Sequence, residues 1–312
     1  GIVWMATEFG GVEKYDPKSS RFRRALIPIE KEFTQFSFVS SVLNNRLDPS
    51  GQQYWVAVWG TGLFEWNRRE NSFRFVPPRA DGTFNNEVFD IAQDAQGTLY
   101  LATAGGVTVY QPLTGKSEFV TGFMNYPFVF NKALSVMVDH AGMVWIGANY
   151  DGLFRYDPKT HQVKKVPFFK PGEVGKTTGY ITKIQEDEQH RLWIATHAGV
   201  FIFEPGTGKS RYLHGEALPD RYRSDGLFLG RNGRVWVATI EGLIQMDTSG
   251  RVIRKFGYED GLKSEHIFNV IEDGNGMVWL ATTNLLYRLD PESKALEWFD
   301  KRDGLFGNSL TD

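Results

Sequence analysis

The sequence predicts an all-β fold: a seven-bladed β-propeller of four-stranded antiparallel blades, occupying residues 1–312 as one domain. Three observations carry that expectation. The stretch MVWIGANYDGLFRYDP at 143–158 recurs along the chain, its aromatic anchor returning at Trp4, Trp55, Tyr100, Trp145, Trp193, Trp236 and Trp279 with gaps of 51, 45, 45, 48, 43 and 43 residues. A period of that length built from short strands is the signature of a propeller, one sheet per repeat. Each anchor is followed by a glycine that opens the next strand, Gly11, Gly62, Gly106, Gly152, Gly199 and Gly242, while the seventh copy reads Asn284-Leu285 there. Finally, the chain opens in a strand at residues 2–6 and ends on Asn308-Ser309-Leu310-Thr311-Asp312, which reads as a spare inner strand. Seating 309–312 in the first blade would close the ring and remove its free sheet edges.

The strands of a repeat follow in the order A to D, counted outward from the axis. Strand A is an apolar run, as at Val88–Gln93, 134–138, Ile181–Glu186 and Ile267–Glu272. The turn after it starts on Asp and ends on Gly at 94–97, 139–142 and 273–276, because Asp initiates tight turns and Gly supplies the positive φ at their end. Strand B carries the aromatic anchor, and strand C follows the glycine turn. Strand D, as at 73–76 or 163–166, is charged, which suits an exposed sheet edge. The basic doublets Arg23-Arg24, Arg68-Arg69 and Lys164-Lys165 fall on or beside such edges.

Hydrophobic residues at 41% and charged residues at 23% place the chain among globular proteins and away from disorder. A formal charge of −2 offers no basic surplus for nucleic acid, which is excluded as a partner. With no cysteine there is neither a disulfide framework nor a thiolate metal site, and the redox compartment stays open.

Several short motifs dissolve into the repeat. PGTGKS at 205–210 lacks the first glycine of a phosphate loop, Phe203 standing in its place, and occupies the turn between strands C and D. Asp273-Gly274-Asn275-Gly276 lacks the later ligands of a calcium loop and is the turn between strands A and B. The six histidines show no metal-binding spacing, and no nucleophile elbow is present. No catalytic residue, metal or cofactor is therefore assigned.

The turns between strands B and C are the variable part of the template. They carry Phe9, Trp59 and Tyr150, which hairpin geometry does not require, beside Glu8, Asn149, Asp151, His197 and Glu241. Aromatic rings next to such polar groups suit a sugar or another polar ligand, so these eight residues form the expected binding surface. A second expected set, Asp90, Ser135, Lys183 and Asn269, lies four residues before the turn position on strand A, and strand alternation would direct it into the central channel.

The repeat, an inner strand followed by D-x-x-G, W-[ILV]-[AG]-T, G-L and Y-D-P, resembles the propeller repeat of two-component regulator sensors. That family forms the extracytoplasmic part of bacterial hybrid histidine kinases and of some diguanylate cyclases. The clearest copies are 135–158 and 269–291, and Asp260-Gly261-Leu262 and Asp303-Gly304-Leu305 match the D-G-L that precedes strand A. Blade two departs most, with Leu47-Asp48-Pro49-Ser50 before its anchor and Trp66-Asn67 in place of Y-D-P. The resemblance implies a periplasmic sensor domain that recognises a carbohydrate or other nutrient. It implies contacts with an adjacent propeller or β-domain of the same receptor and with a second protomer, and it supplies no catalytic residue. Two other readings compete: a propeller lyase acting on a polysaccharide or a streptogramin-type lactone, which would gather His197, Glu241 and Asp151 round a divalent metal, and a protein-interaction scaffold.

Overall fold

The computed structural model describes residues 3–7, 11–16, 21–28, 38–77, 86–120, 132–149, 151–169, 180–213, 222–283 and 285–305. Among the described residues there are six four-stranded antiparallel blades, which corrects the expected seven. The first repeat gives only β1 (Val3–Thr7), β2 (Gly11–Asp16) and β3 (Arg21–Leu26), a three-stranded sheet in that order. Among the described residues no inner strand completes it, and the segment expected to do so, 309–312, lies outside them. The anchor and its glycine specify the hairpin of strands B and C alone, so a count of anchors is not a count of four-stranded blades.

The described residues fall into two compact units. One, mostly 24–166, holds blade two with β4 (Phe38–Asn44), β5 (Gln53–Trp59), β6 (Gly62–Asn67) and β7 (Ser72–Val76). It also holds blade three with β8 (Val88–Gln93), β9 (Leu99–Thr103), β10 (Gly106–Gln111) and β11 (Lys116–Phe119), and blade four with β12 (Ala133–Val138), β13 (Val144–Ala148), β14 (Gly152–Asp157) and β15 (Gln162–Val166). The other unit, mostly 167–312, holds blade five with β16 (Ile181–Glu186), β17 (Leu192–Thr196), β18 (Gly199–Glu204) and β19 (Lys209–Tyr212). Blade six follows with β20 (Ser224–Leu229), β21 (Arg234–Thr239), β22 (Gly242–Asp247) and β23 (Val252–Phe256), and blade seven with β24 (Ile267–Glu272), β25 (Val278–Thr282), β26 (Leu286–Leu289) and β27 (Leu296–Phe299).

Within each unit the first strands of successive blades pack together, β4 on β8 and β8 on β12, β16 on β20 and β20 on β24, which makes them the inner strands. The anchors fill the spaces between blades: Trp193 packs with Leu227 and Val237 of the next blade, and Trp236 with Val270 and Leu280. Tyr15 and Phe22 of the first repeat pack on Phe299, and Tyr15 also meets Trp279. Hydrophobic burial of this kind, worth roughly 25 cal/mol per Å2, explains why the anchor is kept aromatic through every repeat.

One aspartate organises each regular turn between strands A and B. In blade four Asp139 Oδ1 accepts the N–H groups of Ala141 and Met143, while Oδ2 accepts Trp145 Nε1–H at 2.7 Å. Asp94, Asp187 and Asp273 do the same for Tyr100, Trp193 and Trp279. The positive φ at the turn's end falls on Gly97, Gly142 and Gly276, and in blade five on His190 at 60°. Blade six has Gly230 where the aspartate should be, and Trp236 instead donates to Glu272 of the following blade at 3.1 Å. A Cβ on Gly230 would collide with that carboxylate, so glycine is what admits it. In blade two Asp48 caps a longer turn and Trp55 Nε1 is buried with no partner among the described residues.

Candidate functional site

The site is built from a repeated pair of positions. The residue that follows strand B meets the residue two before the bulge of strand A. In blades three, four and five its N–H donates to that residue's carbonyl, Ala104 to Glu87, Asn149 to Lys132 and His197 to Tyr180. In blade two the register pairs Trp59 with Phe38 directly. By the same register Ile240 follows Thr239 opposite Arg223, and Thr283 follows Thr282 opposite His266. The turns between strands B and C and the segments entering strand A therefore share one face in each unit.

In four blades whose strand B ends in threonine, that residue's hydroxyl holds the turn. Thr103, Thr196 and Thr239 donate Oγ1–H to the carbonyl of the glycine opening strand C and accept an N–H from within the turn, while Thr282 bonds both the carbonyl and the N–H of Leu285, just before β26. With the backbone satisfied by one hydroxyl, the remaining turn side chains are free to vary.

Each of the six described inner strands also carries a bulge near its start, at Ser40, the third residue of β4, and at the second residue of the others, Phe89, Leu134, Thr182, Asp225 and Phe268. An unpaired bulge residue is re-aimed relative to its strand, a device common next to binding sites. Ser40 and Thr182 use it to tie blades, donating to the carbonyls of Val88 at 2.6 Å and Ser224 at 2.9 Å. Asp225 is the one charged residue at this position among the six.

Around Asp225 the structure assembles a polar cluster. Its Oδ1 accepts Arg223 Nε–H at 2.7 Å, its Oδ2 lies 2.9 Å from His266 Nε2, and His197 Nε2 is 3.6 Å from Oδ1. The carboxylate is buried, with 8% of its side chain exposed, whereas Arg223 and His266 are 44% and 37% exposed. Aromatic rings cover the imidazoles: Tyr180 stacks on His197 at 3.8 Å, and the exposed Phe268 ring lies 4.1 Å from that of His266. Burial lowers the His197 pKa, Arg223 lowers it further and Asp225 opposes both, so the ring is held neutral at pH 7.

The expected residues are distributed as follows. His197 joins the cluster. Trp59 is half-buried and stacks on Phe38 at 5.4 Å, and Asn149 has its side-chain oxygen buried without a partner among the described residues. Asp151 is 3.8 Å from Lys165, while Glu241 is exposed. Glu8, Phe9 and Tyr150 lie outside the described residues. Of the inner set, Asp90 and Ser135 are buried, Lys183 is half-buried and Asn269 is exposed. Asp90 accepts from Ser41 Oγ at 3.0 Å and from the Val136 N–H at 3.3 Å.

Asp225, Arg223, His266 and Tyr180 are absent from the sequence expectation. Aligning the repeats on the start of strand A rather than on the anchor would have exposed them, since Asp225 then stands alone as a charge at its position. The carboxylate near His197 is that of Asp225, whereas the lyase reading had nominated Glu241 and Asp151.

No protein-family model matches the chain, and no curated protein matches it in sequence. Solved structures share its fold. The extracellular domain of BT3049, assigned to a hybrid two-component system of B. thetaiotaomicron, is 17% identical with a TM-score of 0.54, covering 97% of this chain and 45% of that one. PorZ, a surface component of the type-IX secretion system of Porphyromonas gingivalis, is 18% identical with a TM-score of 0.67, over 95% of this chain and 43% of that one. A streptogramin B lyase is 14% identical with a TM-score of 0.67, over 90% and 87%. The chain thus has the propeller architecture found in extracellular sensor domains and in lyases, and it spans about half the length of the sensor domains it matches, 49% of the first of them. Among the described residues no helix is long and apolar enough to cross a membrane.

Proposed function

We propose that this chain is the ligand-sensing propeller of a bacterial receptor of the hybrid two-component type, acting outside the cytoplasm and recognising a carbohydrate or similar polar nutrient. The observation that carries the reading is the contrast within the template. Turn aspartates, threonine clamps and anchors repeat from blade to blade, whereas the paired face positions change from Trp59 with Phe38 to His197 with Tyr180 and to Ile240 with Arg223. Positions freed from structural duty that gather aromatic and polar groups are what a polar ligand requires. Likeness to extracellular domains of two-component systems supports the setting, and their greater length supports partners within a longer receptor: an adjacent propeller or β-domain and a second protomer. A saccharide panel screened by thermal shift and then calorimetry tests the reading. The expected hit loses about tenfold or more in affinity on His197→Ala or Tyr180→Ala without loss of folding, by the anchor logic of binding surfaces. Hits indifferent to both substitutions would move the site elsewhere.

A lyase reading is favoured by one observation, a neutral His197 beside a buried carboxylate, which is the form a general base needs. Incubation with a streptogramin B lactone and magnesium decides it, turnover abolished by His197→Ala being the outcome that would replace the sensor.

A further inference from the structure

We propose that the cluster centred on Asp225 anchors the acid group of an acidic saccharide, a carboxylate or sulfate carried on a sugar ring, with Arg223 as its principal contact. The inference rests on the sensor reading and names its ligand class. Asp225 is used up by its neighbours: one oxygen holds Arg223 by Nε and the other holds His266 by Nε2. Held by Nε, the guanidinium keeps its two terminal nitrogens, which have no partner among the described residues, on a side chain 44% exposed. That is the planar fork which matches a carboxylate or sulfate in two parallel hydrogen bonds, and a buried carboxylate behind it fixes its orientation before the ligand arrives.

The rest of the cluster suits the sugar. His266 donating Nε2–H to Asp225 leaves Nδ1 to accept a ring hydroxyl. Phe268 beside it and Tyr180 over His197 present apolar surface to the C–H groups of a pyranose. Arg223 and Asp225 cancel in charge, so recognition depends on the fork at contact distance rather than on a long-range field, and a neutral sugar cannot use it. Of the six blades described, only blade six places both the guanidinium at the paired position and the carboxylate on the bulge.

The probes are galacturonate and glucuronate oligomers, glucose 6-sulfate, and the same oligomers with their carboxyl groups reduced to alcohols, titrated calorimetrically into the 312-residue chain. Expected is at least tenfold tighter binding of an acidic probe than of its reduced counterpart. Arg223→Ala and Arg223→Lys should both abolish that preference, because lysine restores charge but not the fork, with unchanged melting temperatures. Uronate alone or sulfate alone binding identifies which acid is read. Equal binding of acidic and reduced oligomers, or preference surviving Arg223→Ala, overturns the proposal and leaves the sensor reading standing. Failure of every saccharide, charged or neutral, overturns both.

Discussion

Asp90 and Asp225 are both buried carboxylates on inner strands, one position apart in the repeat, and they do different work. Asp90 follows the bulge of β8 and spends its oxygens on Ser41 of β4 and the backbone of Val136 in β12, tying three blades of its unit together. Asp225 stands on the bulge of β20 and holds side chains that reach the surface, Arg223 and His266. A shift of one residue across a bulge thus turns a structural tie into the base of a site, and charge at an inner strand cannot be assigned a role until the bulge is placed.

The comparison breaks most directly on removal of each carboxylate. Asp90→Ala should lower unfolding free energy by about 2–4 kcal/mol, since a buried N–H loses its acceptor at about 1–3 kcal/mol and a half-buried hydroxyl loses its own at the lower end of that range. Asp225→Ala should cost about 1 kcal/mol or less, because Arg223 and His266 are exposed enough to be hydrated instead. Urea melts of the two variants measure this. Equal losses would mean that Asp225 is as structural as Asp90.

A smaller effect tests the anchors. Trp145→Phe and Trp193→Phe remove an indole N–H that a turn aspartate accepts, and should cost about 1 kcal/mol beyond the change in ring size. Trp55→Phe removes an N–H that has no acceptor among the described residues and should be nearly neutral or stabilising. Comparable losses at all three would show that packing alone sets the cost.

Much of this architecture could be read in the sequence, because its devices are local. The turn aspartate six residues before the anchor, the glycine opening strand C and the turn at 205–208 all appear where the spacing put them, the last closed by the Gly208 N–H on Glu204. The inner strands at Val88–Gln93, Ile181–Glu186 and Ile267–Glu272 match to the residue. What escaped were the features with no local pattern. A bulge leaves the composition of a strand unchanged and so cannot be read from it, and Asp90 and Asn269, which both follow one, differ in burial in a way that alternation does not show. Blade six hid its inner strand behind Ser224-Asp225-Gly226, where an apolar run was expected. Gly226 is required there because a side chain would press on the backbone of Asn269. Half of each face pair, Trp59, Asn149 and His197, stands in the recognisable turn, while the partners Phe38, Lys132 and Tyr180 lie at or just before the start of strand A, where the repeat has no local pattern.

The smallest expected effect concerns His197 and sharpens the account of the cluster. Burial and Arg223 push its pKa below 6.5, with Asp225 pulling the other way. A histidine whose folded pKa is depressed binds fewer protons in the native than in the unfolded state through the window between the two values. Its contribution to stability is therefore complete above about pH 6.5 and is lost as pH falls from there through the folded value. His197→Gln should flatten the stability profile in that window alone, leaving the acid limb below about pH 5 to carboxylates such as Asp187 and Asp260, which are held below their ordinary range in spite of burial, by hydrogen bonds from Arg191 and Trp193 and from Arg254 respectively. The two neighbours can be separated by titrating the His197 ring in NMR spectra. Arg223→Ala should raise its pKa and Asp225→Asn should lower it, opposite shifts from residues hydrogen-bonded to each other. If both variants leave the titration where it was, His197 stands outside the electrostatic reach of the Asp225 cluster, and the site reduces to Arg223, Asp225 and His266.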